Sequence, residues 1–244
     1  MPTLKPSEDA FGRALLDHLQ GRSPKNLTLE TDAGKKSPAM SASWFFEPPD
    51  NWEPWERKNL DAAVGPILDL GAGAGRASLY LQQLGHEVTA VDNSPGAIQV
   101  CNERGVMDAR LHDFADDLPA DKAWRTVLLL CGNFGLAGSW EGTRQLLSQL
   151  SEICAEDAVL LADTVDPTMI DDPDVQSYQK QMIARGEYVG NVTLRLKYDE
   201  IKSPWWRLTN VLIADTPRLI EGTGWYLEGH QISGMEHYLK LRRE

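Results

Sequence analysis

The chain has 244 residues, 42% of them hydrophobic, and a formal net charge of −12 at pH 7. That length accommodates one substantial core with modest additions, and so acidic a balance argues against a nucleic-acid partner, which needs a basic surface to release counterions. No run approaches the roughly 20 apolar residues of a membrane-spanning helix and the N-terminal region lacks the form of a signal peptide, so a cytoplasmic protein without a membrane partner is expected.

Residues 1 to about 40 carry Pro2, Pro6, Pro24 and Pro38 among polar residues. Apolar spacing there predicts one short helix over Phe11 to Leu19, followed by a loosely ordered arm. The segment from Trp44 to Trp55 is dense in aromatics and prolines, which bars it from being an interior strand. A helix is expected next, running through Leu60 to Val64.

From Pro66 onward short apolar runs alternate with amphipathic segments. Ile67 to Leu70, Val88 to Val91, Ala109 to His112, Thr126 to Leu130 and Val159 to Ala162 read as strands. Helices are expected between them at Arg76 to Leu84, Pro95 to Arg104 and Gly142 to Cys154, with Ser94 and Pro95 forming a helix start. Nearly uniform apolar strands indicate a sheet covered on both faces, as parallel βαβ units build.

After Pro167 an acidic stretch leads to a helix over Val175 to Ile183, then to a half-exposed strand over Val192 to Tyr198. A helix near Pro217 to Glu221 and an antiparallel hairpin of Trp225 to Ile232 with His237 to Leu241 close the chain. The organisation expected is an N-terminal arm and aromatic lid over residues 1–58 and one domain over 59–244, with an insertion at about 167–215.

Gly71, Gly73 and Gly75 stand where the first strong strand turns into a helix, where backbone approaches a ligand closely and free helix N–H groups are presented. A dinucleotide fingerprint would put its third glycine at position 76, which is Arg76, so that ligand class is disfavoured. Asp69, inside an apolar strand, needs a role, either as a cofactor contact or as an acceptor for the loop amides.

The run Asp69-Leu70-Gly71-Ala72-Gly73-Ala74-Gly75 resembles motif I of the class I S-adenosylmethionine-dependent methyltransferases. The resemblance extends downstream for about 100 residues, to Asp92 ending the second strand, Asp113 with Phe114 after the third, and the Cys131-Gly132-Asn133 turn after the fourth. It implies a Rossmann-like α/β sandwich, with a mostly parallel seven-stranded sheet and an antiparallel C-terminal strand. It also implies S-adenosyl-L-methionine as cofactor and S-adenosyl-L-homocysteine as product. The residues it assigns to the cofactor are Asp69, Gly71, Ala72, Gly73, Gly75, Asp92, Asn93, Asp113, Phe114, Cys131, Gly132 and Asn133. Asp92 suits the ribose, because a carboxylate accepts two hydrogen bonds from a vicinal diol.

Methyl transfer from a sulfonium depends largely on near-attack positioning, so the lack of an evident His or Cys dyad is no objection. Asn133 and Asp163 are the catalytic candidates by position, though Asp163 would equally serve as a cap. Trp44, Phe45, Phe46, Arg195, Tyr198, Trp205 and Trp206 are candidates for the acceptor site. The bland alternatives are aromatics that anchor a lid and an arginine at a solvated surface. Gly186 to Asn191, Pro204-Trp205-Trp206 and Thr223-Gly224-Trp225 also resemble features of bacterial small-molecule methyltransferases.

No metal site is expected. The five histidines lack ligand spacing, and Cys101, Cys131 and Cys154 are scattered without Cys-x-x-Cys spacing. The reading is methyl transfer to an oxygen, nitrogen or carbon of a small molecule. A non-catalytic cofactor-binding or regulatory module of the same fold is the alternative.

Overall fold

A computed structural model describes residues 2–22, 26–112 and 118–244. The chain forms two compact units, Met1–Asp117 with Leu194–Trp205, and Leu118–Thr193 with Trp206–Glu244.

The first unit opens with α1 (Ala10–Leu19), β1 (Leu27–Thr31), β2 (Lys36–Pro38) and α2 (Pro54–Asp61), then runs β3 (Ile67–Leu70), α3 (Arg76–Gln83), β4 (Val88–Asp92), α4 (Pro95–Arg104) and β5 (Ala109–Leu111). Strands β3, β4 and β5 pair in parallel. Every residue of β3 and β4 is buried, as a strand covered on both faces must be. The expected cap of α4 is present: the Ser94 hydroxyl accepts from the Ala97 amide at 2.9 Å, with Pro95 in the first turn.

The second unit contains β6 (Trp124–Leu129), α5 (Trp140–Ile153), β7 (Cys154–Val165) and α6 (Pro173–Ala184). Next come β8 (Asn191–Tyr198), whose end lies in the first unit together with β9 (Ile201–Lys202), and then β10 (Trp206–Thr209), α7 (Thr216–Ile220), β11 (Trp225–Ser233) and β12 (Glu236–Arg243). β6 and β7 are parallel, while β12 runs antiparallel to both β7 and β11. Helix α5 buries Thr143, Leu146, Leu147 and Leu150, the single stripe that helical spacing provides. The fully buried Trp225 donates its ring N–H to the Leu147 carbonyl at 2.8 Å.

The main sheet has the order β11-β12-β7-β6-β3-β4-β5. It is the expected seven-stranded, mostly parallel sheet with one reversed strand at the C-terminal side.

Three details differ from the sequence-based expectation. The arm after α1 is not loose, because β1 pairs antiparallel with β2 and with β8. Leu27 meets Tyr198 in that register, and both are buried with Ala10 and Ala14. The partner strand lies more than 160 residues downstream, so no local pattern announces it. The helix expected through Val64 ends at Asp61, having started early on Pro54, whose fixed φ suits a first turn. Strand β7 begins at Cys154, ahead of the start expected at Val159, because the exposed Glu156 and Asp157 interrupt its apolar pattern.

Among the described residues no helix is long and apolar enough to cross a membrane, and no group of three His, Cys, Asp or Glu residues is placed to hold a metal ion.

Candidate functional site

In the first unit the chain leaves β3 through Gly71, Ala72 and Gly73. The Gly71 and Ala72 amides donate to the Val91 carbonyl at 2.8 and 3.0 Å. The Gly73 amide donates to Asp92 Oδ2 at 2.9 Å, and the Ser94 amide to Asp92 Oδ1 at 2.9 Å. Asp92 thus fixes the glycine turn with one oxygen and the start of α4 with the other. Each carboxylate oxygen still has a lone pair free for another donor. Burial pushes the Asp92 carboxyl up to about 6, against the pull of the Ser94 and Gly73 amides, and Asp9 and Asp69 add like-charge repulsion.

Asp69 does not accept from the loop amides, one of the two roles expected for it. Its Oδ2 accepts from the Ser78 hydroxyl at 2.6 Å, which ties β3 to α3. Burial likewise raises this carboxyl to about 6, moderated by Ser78 and by Arg76. Asn93 is buried, and its side-chain amide donates to the Pro2 carbonyl at 3.0 Å while its own carbonyl accepts from the Leu4 amide at 2.8 Å. The N-terminal residues therefore cross this side chain. Asp113 and Phe114 lie outside the described residues.

The aromatic segment is fastened to the glycine loop at several points. Arg76, the first residue of α3, is sandwiched between Trp44 and Trp52 at 4.3 and 4.4 Å. It also pairs with Glu56 at 2.7 Å, with both side chains only 7% exposed. Arg104, from the end of α4, donates to the Ala74 carbonyl at 2.5 Å and stands over the Phe46 ring at 4.7 Å. Phe45 and Phe11 meet edge to face, and a Cβ on Gly73 would lie 3.4 Å from one and 3.6 Å from the other. Gly73 has φ 57°, so a side chain there is disfavoured by backbone conformation as well as by these rings.

Asp9 holds a further junction of the first unit. Its buried carboxylate caps α1 through the Gly12 amide at 2.8 Å and reaches the start of α4 through the Gly96 amide at 2.8 Å and the Ser94 hydroxyl. Two helix N-termini thus present N–H groups to one carboxylate side chain. Neither Asp9 nor Arg76 was singled out by sequence reasoning. The Asp9-to-Gly12 spacing of a helix start was visible, but the second helix it caps was not.

Of the remaining acceptor candidates in this unit, Arg195 pairs with Glu30 at 2.7 Å and lies over Trp205 at 4.3 Å. That hydrogen bond holds the Glu30 carboxyl below its ordinary range. Tyr198 is buried and its hydroxyl donates to Asp17 at 3.2 Å. Trp205 is exposed.

In the second unit, Cys131 and Gly132 follow β6 in left-handed conformations, with φ 64° and 79°. Asp163 on β7 accepts from the Cys131 amide at 2.8 Å and from the Gly132 amide. Asp163 thus holds this earlier turn rather than capping the segment that follows it, and the two amides are engaged. Asn133 opens the short 3-10 turn Asn133–Gly135.

The insertion lies directly on that turn. A Cβ on Gly135 would sit 1.7 Å from the Thr209 carbonyl oxygen. Three hydrogen bonds hold the strap in place: Thr209 hydroxyl to Asn191 Oδ1 at 3.0 Å, Asn210 amide to Gly190 carbonyl at 2.8 Å, and Val211 amide to Thr164 hydroxyl at 2.9 Å. Trp206 is half-buried in β10. The Tyr188 hydroxyl donates to Asp215 at 2.8 Å and accepts from the Leu212 amide at 3.0 Å. Burial raises its pKa, and the Leu212 amide only partly offsets this.

A family model described as a methyltransferase domain matches residues 67–157, from β3 into β7. Among solved structures, an S-adenosylmethionine-dependent methyltransferase from Bacteroides fragilis in complex with S-adenosyl-L-homocysteine aligns with a TM-score of 0.84. It is 24% identical over 99% of this chain and 97% of its own. The CcbJ methyltransferase from Streptomyces caelestis aligns at 0.60 with 15% identity, over 80% of this chain and 94% of its own. An S-adenosylmethionine-dependent methyltransferase from Methanosarcina mazei aligns at 0.62 with 12% identity, over 79% and 98%. At such identities the likeness to these structures is one of fold. No curated protein matches the chain.

Proposed function

We propose that this chain, whose residues 67–157 match a methyltransferase domain and whose fold is shared with S-adenosylmethionine-dependent methyltransferases, is a class I enzyme of that kind and transfers a methyl group to an oxygen, nitrogen or carbon of a small molecule. The observation that carries the cofactor half of this reading is Asp92. It is a buried carboxylate already aligned by two amides, with one acceptor position left on each oxygen for the two hydroxyls of a ribose. In this reading Gly71, Ala72, Gly73 and Gly75 let the nucleoside end approach the backbone, and Phe45 walls the loop beside it.

When bound, S-adenosylmethionine supplies an electrophilic methyl group with a neutral thioether as leaving group. The chain's own contribution is positioning. Asp163 holds the Cys131–Gly132 turn and thereby sets where Asn133 stands. Asp163 is in this reading a positioning residue rather than a base, since both amides it holds are part of the turn. The arm and aromatic segment of residues 1–58 serve the cofactor, and the insertion at about 167–215 serves the acceptor. A net charge of −12 supports a small molecule over a polyanion.

Titration calorimetry with S-adenosylmethionine and S-adenosyl-L-homocysteine tests the donor. Saturable heat is expected from the wild type and none from Asp92→Asn, with circular dichroism showing both folded. A folded wild type that gives no heat overturns the reading. The acceptor class is tested by S-adenosyl-L-homocysteine formation with small-molecule, protein and RNA pools, and turnover with only the latter two overturns it. Binding without turnover in any pool would mark a non-catalytic module.

A further inference from the structure

The second unit holds a cleft of about 730 Å³, within the ~300–1,000 Å³ of small-ligand sites. The motif from Gly186 to Asn191, which the cofactor reading leaves unexplained, forms one side of it. The N-terminus of α5 forms another, and Arg207 and Arg218 complete it.

Its surface combines aromatic area with two arginines, Arg207 and Arg218, and two glutamates, Glu141 and Glu187. Trp140 and Tyr188 meet with ring centroids 5.3 Å apart and planes inclined at 60°. The Arg218 guanidinium stands over the Trp140 ring at 4.6 Å. Its ion pair to Asp215 is long, at 3.4 Å, and the arginine is 69% exposed. Arg207 pairs with Glu187 at 2.7 Å, with the two side chains 49% and 34% exposed. Exposed pairs of this kind contribute little, so an incoming anion displaces the carboxylates at small cost. Asp215 is moreover shared with the Tyr188 hydroxyl.

Asn191 supplies the polar contact that fixes orientation. It lines the cleft although it is only 8% exposed, and its Oδ1 is taken by the Thr209 hydroxyl. The side-chain amide N–H groups are then what it offers to a ligand. Burial keeps the Tyr188 phenol protonated, so it adds aromatic area without adding negative charge.

We propose that this cleft binds a planar aromatic molecule bearing a carboxylate, the ring against Trp140 and Tyr188 and the anion between Arg207 and Arg218, and that it is the subsite for the non-reacting end of the methyl acceptor. The assignment to the acceptor rests on the methyl-transfer reading above, whereas binding in the cleft does not. Guanidinium suits this ligand because it both stacks on aromatic faces and pairs with carboxylates through two parallel hydrogen bonds.

The test is calorimetry on the full chain with 2-naphthoate and 4-hydroxyphenylacetate, each against its neutral carboxamide. S-Adenosylmethionine is titrated into the same samples. Each acid is expected to bind about tenfold more tightly than its amide, the worth of one charge-assisted hydrogen bond. Arg207→Gln and Arg218→Gln should each erase about that factor for the acids, leave the amides unchanged, and leave the S-adenosylmethionine heat unchanged. Equal binding of acid and amide, no binding of either acid, or indifference to both arginine substitutions would overturn the proposal. Acid binding in a wild type that gives no S-adenosylmethionine heat would support the cleft and sink the donor reading alone.

Discussion

Replacing Arg76 by methionine removes the guanidinium from a carboxylate and from two indole faces in one step. Arg76 and Glu56 are each 7% exposed and 2.7 Å apart, so the surviving Glu56 charge stays buried after losing the guanidinium. Breaking a buried pair in this way costs about 3–5 kcal/mol, and each desolvated face of the Trp44–Arg76–Trp52 sandwich adds about 1–2 kcal/mol. Against a total stability of roughly 5–15 kcal/mol for a domain, Arg76→Met is expected to leave the protein close to unfolding at 25 °C. The double variant Glu56→Leu/Arg76→Met removes the stranded charge and should recover about 2 kcal/mol or more, because the charge penalty vanishes and only the stacking loss remains. Arg76→Lys, which keeps the charge but not the planar stack, should lie between wild type and Arg76→Met. Urea unfolding followed by circular dichroism gives the stabilities of the wild type, Arg76→Met, Arg76→Lys, Glu56→Leu and the double variant. A loss below about 1 kcal/mol in Arg76→Met, or strictly additive single substitutions, would refute the account of this sandwich as the fastening between the aromatic segment and α3.

Further tests address the glycine loop of the first unit and the turn after β6 in the second. Burial holds Asp69 and Asp92 at about 6 in the folded chain against an ordinary carboxyl value of 3.8. The folded state therefore binds more protons than the unfolded state between those values, and their contribution to stability is expected to rise as pH falls from about 6 toward about 4. Cofactor affinity should move the opposite way, falling about tenfold per pH unit below about 6, since the ribose reading needs an ionised Asp92. Melting temperatures and calorimetry over that range check the pair, and Asp92→Asn should flatten the melting profile. Gly135→Ala should cost about 3 kcal/mol, read from thermal unfolding, because the new methyl meets the Thr209 backbone rather than a movable side chain. Asp163→Ala should cost about 2–4 kcal/mol by leaving two turn amides without their acceptor. Adding Cys131→Gly should return about 1 kcal/mol by relieving the left-handed cysteine.

The main sheet was legible because β3 and β4 are apolar throughout and the glycines follow β3 directly. Periodicity and spacing are local properties, and they placed the strand, the turn and the helix start of α4 to the residue. The matched segment, residues 67–157, is the part where such local signals are dense. The same directness made Asp92 recognisable, since its role depends on standing at the end of a strand next to the loop.

What needed tertiary structure were roles set by a partner remote in sequence. Asp69 turns to Ser78 rather than to the loop, because a buried carboxylate accepts the donor that packing brings nearest. Tyr198, an acceptor-site candidate on an alternating strand, is buried against α1 because β1 and β8 pair across more than 160 residues. Arg76 reads in sequence only as the residue that breaks a dinucleotide fingerprint, and in the fold it is the clamp between two tryptophans. The sequence by itself determined the sheet and the glycine loop, which are written in short-range pattern. Which side chains hold the aromatic segment, the post-β6 turn and the cleft was decided by long-range packing, where a charge or ring gains its meaning from neighbours that no spacing rule connects.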